Sequence, residues 1–132
     1  MSIIKKIKTA KAPGAIGPYS QAIVTKDFLF TSGQIAINPK NNELISGGIK
    51  AQTRRVIQNL KAVINEAGGK IENTVKTTVY LQNMDNFQAM NETYSQFFKN
   101  KPARSTVEVA KLPKNALIEI EAIVALDYGK NK

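Results

Sequence analysis

Seven apolar residues, Ile49, Val56, Ile57, Leu60, Val63, Ile64 and Ala67, fall on one stripe at helical spacing. They predict a helix over residues 49–67, stopped by Gly68-Gly69 in the manner of a C′ glycine. A second stripe, Phe87, Met90, Tyr94, Phe97 and Phe98, predicts another helix. Its start is expected at Asp85 as N-cap, with Gln88 at the capping-box position. Elsewhere the β-prone runs are short. Residues 21–25 and 28–32 flank Lys26-Asp27 and read as a hairpin, although Lys-Asp leaves the turn type open. Residues 2–8 read as a short first strand and residues 103–109 and 117–126 as the last two. The strand at 75–81 is expected to place Val75, Val79 and Leu81 on one face. Residues 12–19, with two prolines and two glycines, form a shaped loop, and residues 38–42 a polar one.

The resulting order, β-β-β-α-β-α-β-β, predicts an α+β fold with two amphipathic helices on one face of a mixed sheet. The last strand carries Ile118, Ile120, Ala122 and Val124 on one face, and Glu119, Glu121, Ile123 and Ala125 on the other. Both faces therefore hold apolar groups, and the bare one is expected to associate with another copy.

At 132 residues the chain reads as one domain over 1–132. It has no cysteine and no histidine. That excludes disulfides, thiolate nucleophiles and Ser-His-Asp sites, and leaves acid–base work to carboxylates, Lys, Tyr, hydroxyls, backbone or water. The net charge of +9 invites a nucleic-acid reading. Only three of the nineteen basic residues are arginines, and the lysines are scattered apart from Lys5, Lys6, Lys8 and Lys11. A solvated lysine-rich surface is the better reading, and nucleic-acid binding is expected to be weak or absent. No apolar run approaches a membrane span, and no apolar stretch follows the first lysines as a signal peptide needs. A cytoplasmic location is expected, in keeping with the missing cysteines.

Arg104 follows Pro102-Ala103 at the start of a strand and shares a face with Thr106 and Glu108. Its planar fork suits a substrate carboxylate, but on local pattern alone an ion pair with Glu108 or another carboxylate is the better reading. Glu119 and Glu121 share a strand face and would lie near Arg104 if the last two strands form a hairpin. One of them could then orient water; two solvated glutamates are the plainer alternative. Asn91 sits inside an apolar helical stripe and needs hydrogen-bond partners, structural or ligand. Tyr19 offers an aromatic wall with a polar tip, Gly33 allows close backbone approach, and Ser32 is a hydrogen-bonding group.

Five ordered blocks carry a resemblance over nearly the whole chain: Ala15-Ile16-Gly17-Pro18-Tyr19-Ser20-Gln21-Ala22, Ser32-Gly33-Gln34-Ile35, Asn91-Glu92-Thr93-Tyr94, Pro102-Ala103-Arg104-Ser105, and Val107–Pro113 through Ile118–Ala122. Together they resemble the RidA (YjgF) family. The resemblance implies a chorismate-mutase-like α+β fold in a homotrimer, with the sheets inside as a barrel and clefts between subunits. It implies hydrolytic deamination, without a cofactor or metal, of reactive enamines and imines made by pyridoxal-phosphate enzymes. Examples are 2-iminobutanoate and 2-iminopropanoate, released as 2-oxo acids and ammonia. Arg104 matches the arginine that grips the substrate carboxylate, the Gly33 backbone a second carboxylate contact, and Glu119 the glutamate that orients water. Tyr19, Ser32 and Asn91 match cleft-lining residues. Thr106 stands where many members have a cysteine, so thiol-based sensitivity is expected to be absent. Residues 98–102 form a shorter loop than in many members, which bears on substrate preference. Some relatives act as small-molecule binding regulators or on RNA, and these remain the alternatives.

Overall fold

A computed structural model describes residues 3–127. Three strands open the chain: β1 (Lys5–Ile7), β2 (Ala22–Thr25) and β3 (Phe28–Thr31). A two-stranded ribbon follows, β4 (Ile37–Asn38) and β5 (Glu43–Leu44), then α1 (Ile49–Glu66), β6 (Thr74–Leu81), α2 (Phe87–Phe97), β7 (Ala103–Glu108) and β8 (Ile118–Ala125). The main sheet has the order β1-β2-β3-β8-β6-β7. Only β6 and β7 run parallel, and α2 is the crossover that such a pair requires. The loop expected over residues 38–42 is the turn of the β4–β5 ribbon, with Asn42 at φ 63°.

The two helices cover one face of the sheet. From α1, Val56, Ile57, Leu60, Val63 and Ile64 are fully buried, against Leu29, Val79, Leu81, Ile118, Ile120 and Val124 of the strands. From α2, Met90 and Tyr94 join the same core, with Phe98 just beyond it. Side chains of this size stabilise by about 1.5–3 kcal/mol each when fully buried. The helix α1 stops as its sequence predicts, because Gly68 takes φ 82° and the Gly69 amide donates back to the Ile64 carbonyl at 3.0 Å.

Three expectations are corrected. Val75 does not share the inner face with Val79 and Leu81; it is 43% exposed, and Thr74 is buried instead. The pairing of β6 with β8 slips between Thr74 and Lys76, and this bulge reverses the inside–outside alternation at the strand's start. Asp85 is not the cap of α2. The Asn83 side chain accepts the Asp85 amide at 2.8 Å and closes a 3-10 turn over Met84–Asn86, so the helix begins at Phe87 with no side-chain cap from Asn86. Gln88 therefore has no capping box to complete. Finally, β7 and β8 do not form a hairpin, because β6 lies between them. Within the described residues no helix is long and apolar enough to cross a membrane.

The other face of the sheet has no helix over it. Phe28 and Phe30 from β3 and Val107 from β7 stand on it, each 42% exposed. The strand alternation that buries Leu29 between two phenylalanines produces this face directly.

Candidate active site

The helix-free face carries the first wall of the candidate site. Alternation along β8 sends Ile118, Ile120 and Ala122 into the core and Glu119 and Glu121 the other way. Opposite them the chain after β3 carries one extra residue. Phe30 pairs with Ile123, yet Gln34 bridges Ile120, so residues 30–34 match residues 123–120 only through a bulge. The Thr31 hydroxyl accepts the Ala122 amide at 2.9 Å, and the Ser32 hydroxyl donates to the Ser20 carbonyl at 2.6 Å. Gly33 then passes directly over Glu119. A Cβ at position 33 would run into Glu119 Oε2 and lie 2.8 Å from its Cδ, so only glycine leaves the carboxylate its place.

A cavity of about 590 Å³ opens here, lined by Tyr19, Ser32, Gly33, Lys114, Glu119 and Glu121. Tyr19 is placed by the preceding loop. Its amide donates to the Gly17 carbonyl at 2.9 Å, and its hydroxyl accepts the Ile16 amide at 3.4 Å. Gln21 holds that loop to the sheet. Its Oε1 accepts the Thr9 amide at 2.7 Å, and its Nε2 donates to the Pro13 carbonyl at 2.7 Å and the Thr9 carbonyl at 3.1 Å. Burial, and then the charge of Glu121, hold the Glu119 carboxyl above the usual carboxylate range.

The second wall lies under α2. Arg104 pairs with the buried Thr77 and so points to the helix side of the sheet. Its guanidinium carbon sits 4.8 Å from the centre of the Tyr94 ring and 5.6 Å from that of Phe87. Tyr94 is itself fixed by a 2.6 Å hydrogen bond between its hydroxyl and that of Thr77. The ion pair with Glu108 does not form. Glu108 instead accepts the Met84 amide at 2.7 Å, and the only ion pair among the described residues is Lys50–Glu92. Arg104 is thus positioned by two aromatic rings and has no carboxylate partner among the described residues.

Asn91 and Thr106 complete this wall. Asn91 stands between Phe87 and Tyr94 on α2, and Thr106 follows Arg104 on the same face of β7. Asn91 Oδ1 and Thr106 Oγ1 are both buried without a hydrogen-bond partner. A buried orphaned oxygen costs about 1–3 kcal/mol; Thr53 Oγ1 and Thr74 Oγ1 are left in the same state elsewhere, while these two lie on the wall that carries Arg104.

The seven residues singled out from the sequence thus fall into two sets. Tyr19, Ser32, Gly33 and Glu119 share one cavity. Asn91, Arg104 and Thr106 share the other wall, on the opposite side of the sheet. The sequence did not point to Gln21, Tyr94 or Lys114. Gln21 was masked by its place beside a strand, Tyr94 reads as one more member of an apolar stripe, and Lys114 is one lysine among sixteen.

Two helices on one face of a mixed sheet, with a carboxylate wall on the other face, define a YjgF-like α+β protein. Comparison with known proteins agrees at every level. The model of the family described as Endoribonuclease L-PSP matches residues 9–126. A RutC family protein of Pyrococcus abyssi is 54% identical over 118 residues, covering 89% of this chain and 93% of that one. A human protein named 2-iminobutanoate/2-iminopropanoate deaminase is 46% identical over 124 residues, covering 92% and 90%. The solved structure of the E. coli YjgF gene product superposes with a TM-score of 0.88 at 46% identity, covering 92% of this chain and 98% of that one. The chain belongs to the RidA/YjgF family.

Proposed function

We propose that this protein hydrolyses 2-imino acids, and the enamines in equilibrium with them, to 2-oxo acids and ammonia. The four-carbon and three-carbon substrates named for the human relative are the first to test. We propose further that the site forms between two copies of the chain in a homotrimer. One copy contributes Tyr19, Ser32, Gly33 and Glu119, and the next contributes Asn91, Arg104 and Thr106.

The observation that carries this reading is that Arg104 has no carboxylate partner among the described residues while Glu119 lies on the far side of its own sheet. One chain cannot present both to one small molecule. Two chains can, where the face of one that bears Phe28, Phe30 and Glu119 meets the edge of the next at its terminal strand β7, which carries Arg104. The Arg104 fork would then hold the substrate carboxylate, with the Gly33 backbone as a second contact, and Asn91 and Thr106 would find their missing partners at that junction.

The chemistry asked of the site is modest. The protonated imine carbon is already electrophilic, and a clamped carboxylate fixes which face water meets. Glu119 accepts a proton from the attacking water as the oxygen adds to carbon. It returns that proton to nitrogen, the C–N bond breaks to release ammonia, and the ammonia takes the carbinol proton as the ketone forms. An imine cation and one water thus become a 2-oxo acid and ammonium. The raised proton affinity of Glu119 suits an acceptor that must also give the proton back.

The test is to generate the imine of alanine or 2-aminobutyrate with an amino-acid oxidase and follow its loss with and without the protein. Accelerated loss with matching 2-oxo acid supports the proposal; decay at the buffer rate rejects it. A second reading, RNA binding, draws on the family description and the net charge of +9. It requires retention of RNA that weakens steeply with salt and is indifferent to Arg104→Ala.

A further inference from the structure

Glu119 does not stand alone in its cavity. Glu121, two residues along β8, points to the same side and lines the same cavity. At a strand rise near 3.3 Å per residue, the two backbones are about 7 Å apart. Tyr80 stands beside both. It pairs with Glu119 across the β6–β8 ladder, and burial first, then the neighbouring Glu121 and the charge of Glu119, raise the proton affinity of its hydroxyl. The three form a contiguous row, Glu119–Tyr80–Glu121. Glu121 also borders a second, smaller cavity of about 140 Å³ between Phe30, Lys76, Thr78 and Ile123.

The charged and titratable groups facing this row come from several elements. Lys76 comes from β6, Lys114 from the loop before β8, and Tyr19 from the loop before β2. Neither lysine forms an ion pair with either glutamate, since Lys50–Glu92 is the only such pair among the described residues. The two carboxylates therefore stand side by side on one face of β8, and neither is held in an ion pair among the described residues. A like charge nearby disfavours the charged form of a carboxyl. Glu119 is raised by burial first and by Glu121 second.

Resting on the reading of Glu119 as the acceptor of water's proton, we propose that Glu121 is a positioning residue of the reaction. From its place on the same face and in the same cavity, it acts through Glu119 and governs how that carboxylate takes a proton and returns it. Glu121 does not touch the substrate in this account.

The experiment compares kcat/KM against pH for the wild type, Glu121→Gln, Glu121→Asp and Tyr80→Phe, with carboxyl NMR titration of Glu119 in each. Glu121→Gln should move the acid limb, and the Glu119 titration with it, to lower pH by roughly half a unit or more. Its plateau should fall about 3–10-fold, because a weaker base transfers the proton less readily. Glu121→Asp should restore most of both, and Tyr80→Phe should shift the limb in the same direction by less. An active Glu121→Gln protein whose acid limb and Glu119 titration match the wild type overturns the proposal. Should Glu121→Gln fail to fold, an unshifted Tyr80→Phe overturns it in the same way. If the wild type does not hydrolyse imines at all, the reading of the site fails, and the Glu119 titration still decides whether Glu121 governs its proton.

Discussion

Arg104 and Glu119 stand on opposite faces of one sheet, separated by the intervening strand β6. Arg104 pairs with Thr77, which faces the helices, and Glu119 pairs with Tyr80, which faces away from them. Residues close in the order of the sheet thus face opposite sides of it and do not meet within one chain.

Arg104 lies against two aromatic rings and in no ion pair among the described residues, so the proposed carboxylate clamp can be removed without breaking a charge pair of the fold. Arg104→Ala should keep the fold and the oligomeric state. It should lower kcat/KM for imine hydrolysis by the equivalent of about 2–5 kcal/mol, the usual loss for one partner of a desolvated charge pair. Arg104→Lys should recover little, because an ammonium cannot reproduce the bidentate fork. Steady-state kinetics beside circular dichroism distinguishes this from an unfolded or dissociated variant.

Gly33→Ala tests the placement of Glu119. The added methyl meets the carboxylate, so Glu119 must swing out of its present position. Activity should fall at least tenfold while stability drops by about 1–3 kcal/mol, the cost of overpacking a close contact. Wild-type activity in this variant would mean that the carboxylate works from somewhere else.

The raised proton affinity of Glu119 makes a prediction for stability as well. A carboxyl with a higher pKa folded than unfolded adds stability below its unfolded pKa, and that contribution is lost as pH rises through the folded pKa. Glu119→Gln removes the burden of holding the charged form. Its thermal midpoint should exceed the wild type's at pH 8 and match it near pH 3.5. Equal midpoints at both values would contradict the shift.

Gln21 tests the loop that carries Tyr19. Gln21→Leu leaves the Thr9 amide and the Pro13 carbonyl without their partner. Stability should fall by about 2–4 kcal/mol, since buried groups left unpaired cost about 1–3 kcal/mol each. Denaturant unfolding measures this, and hydrogen exchange at Thr9 should accelerate.

Much of the fold could be read from the chain because periodicity reports burial. The α1 stripe, the Gly68 stop and the inward face of β8 all follow from it. The errors arose where local chemistry competes with the period. A bulge at Thr74 reverses one strand end, and Asn83 takes the turn that Asp85 seemed placed to begin. Strand order is set by long-range pairing, so nothing local to residues 103–126 reveals that β6 lies between the last two strands. For the candidate site, residue chemistry alone drew notice to Arg104, Glu119, Asn91, Tyr19, Ser32 and Gly33 with plainer alternatives open, and the ordered blocks of a family pattern chose among them. Their division between two faces needed the three-dimensional register.

The measurement that tests the central proposal most directly is subunit mixing. Arg104→Ala and Glu119→Gln proteins, each inactive alone, are unfolded together in equal amounts, refolded, and assayed for imine hydrolysis. With sites shared between neighbouring copies, random assembly places an intact Arg104 wall against an intact Glu119 wall at about a quarter of the junctions, so activity should return to roughly that fraction of wild type. A mixture that assembles normally but stays as inactive as its two components would contradict a site built from two chains.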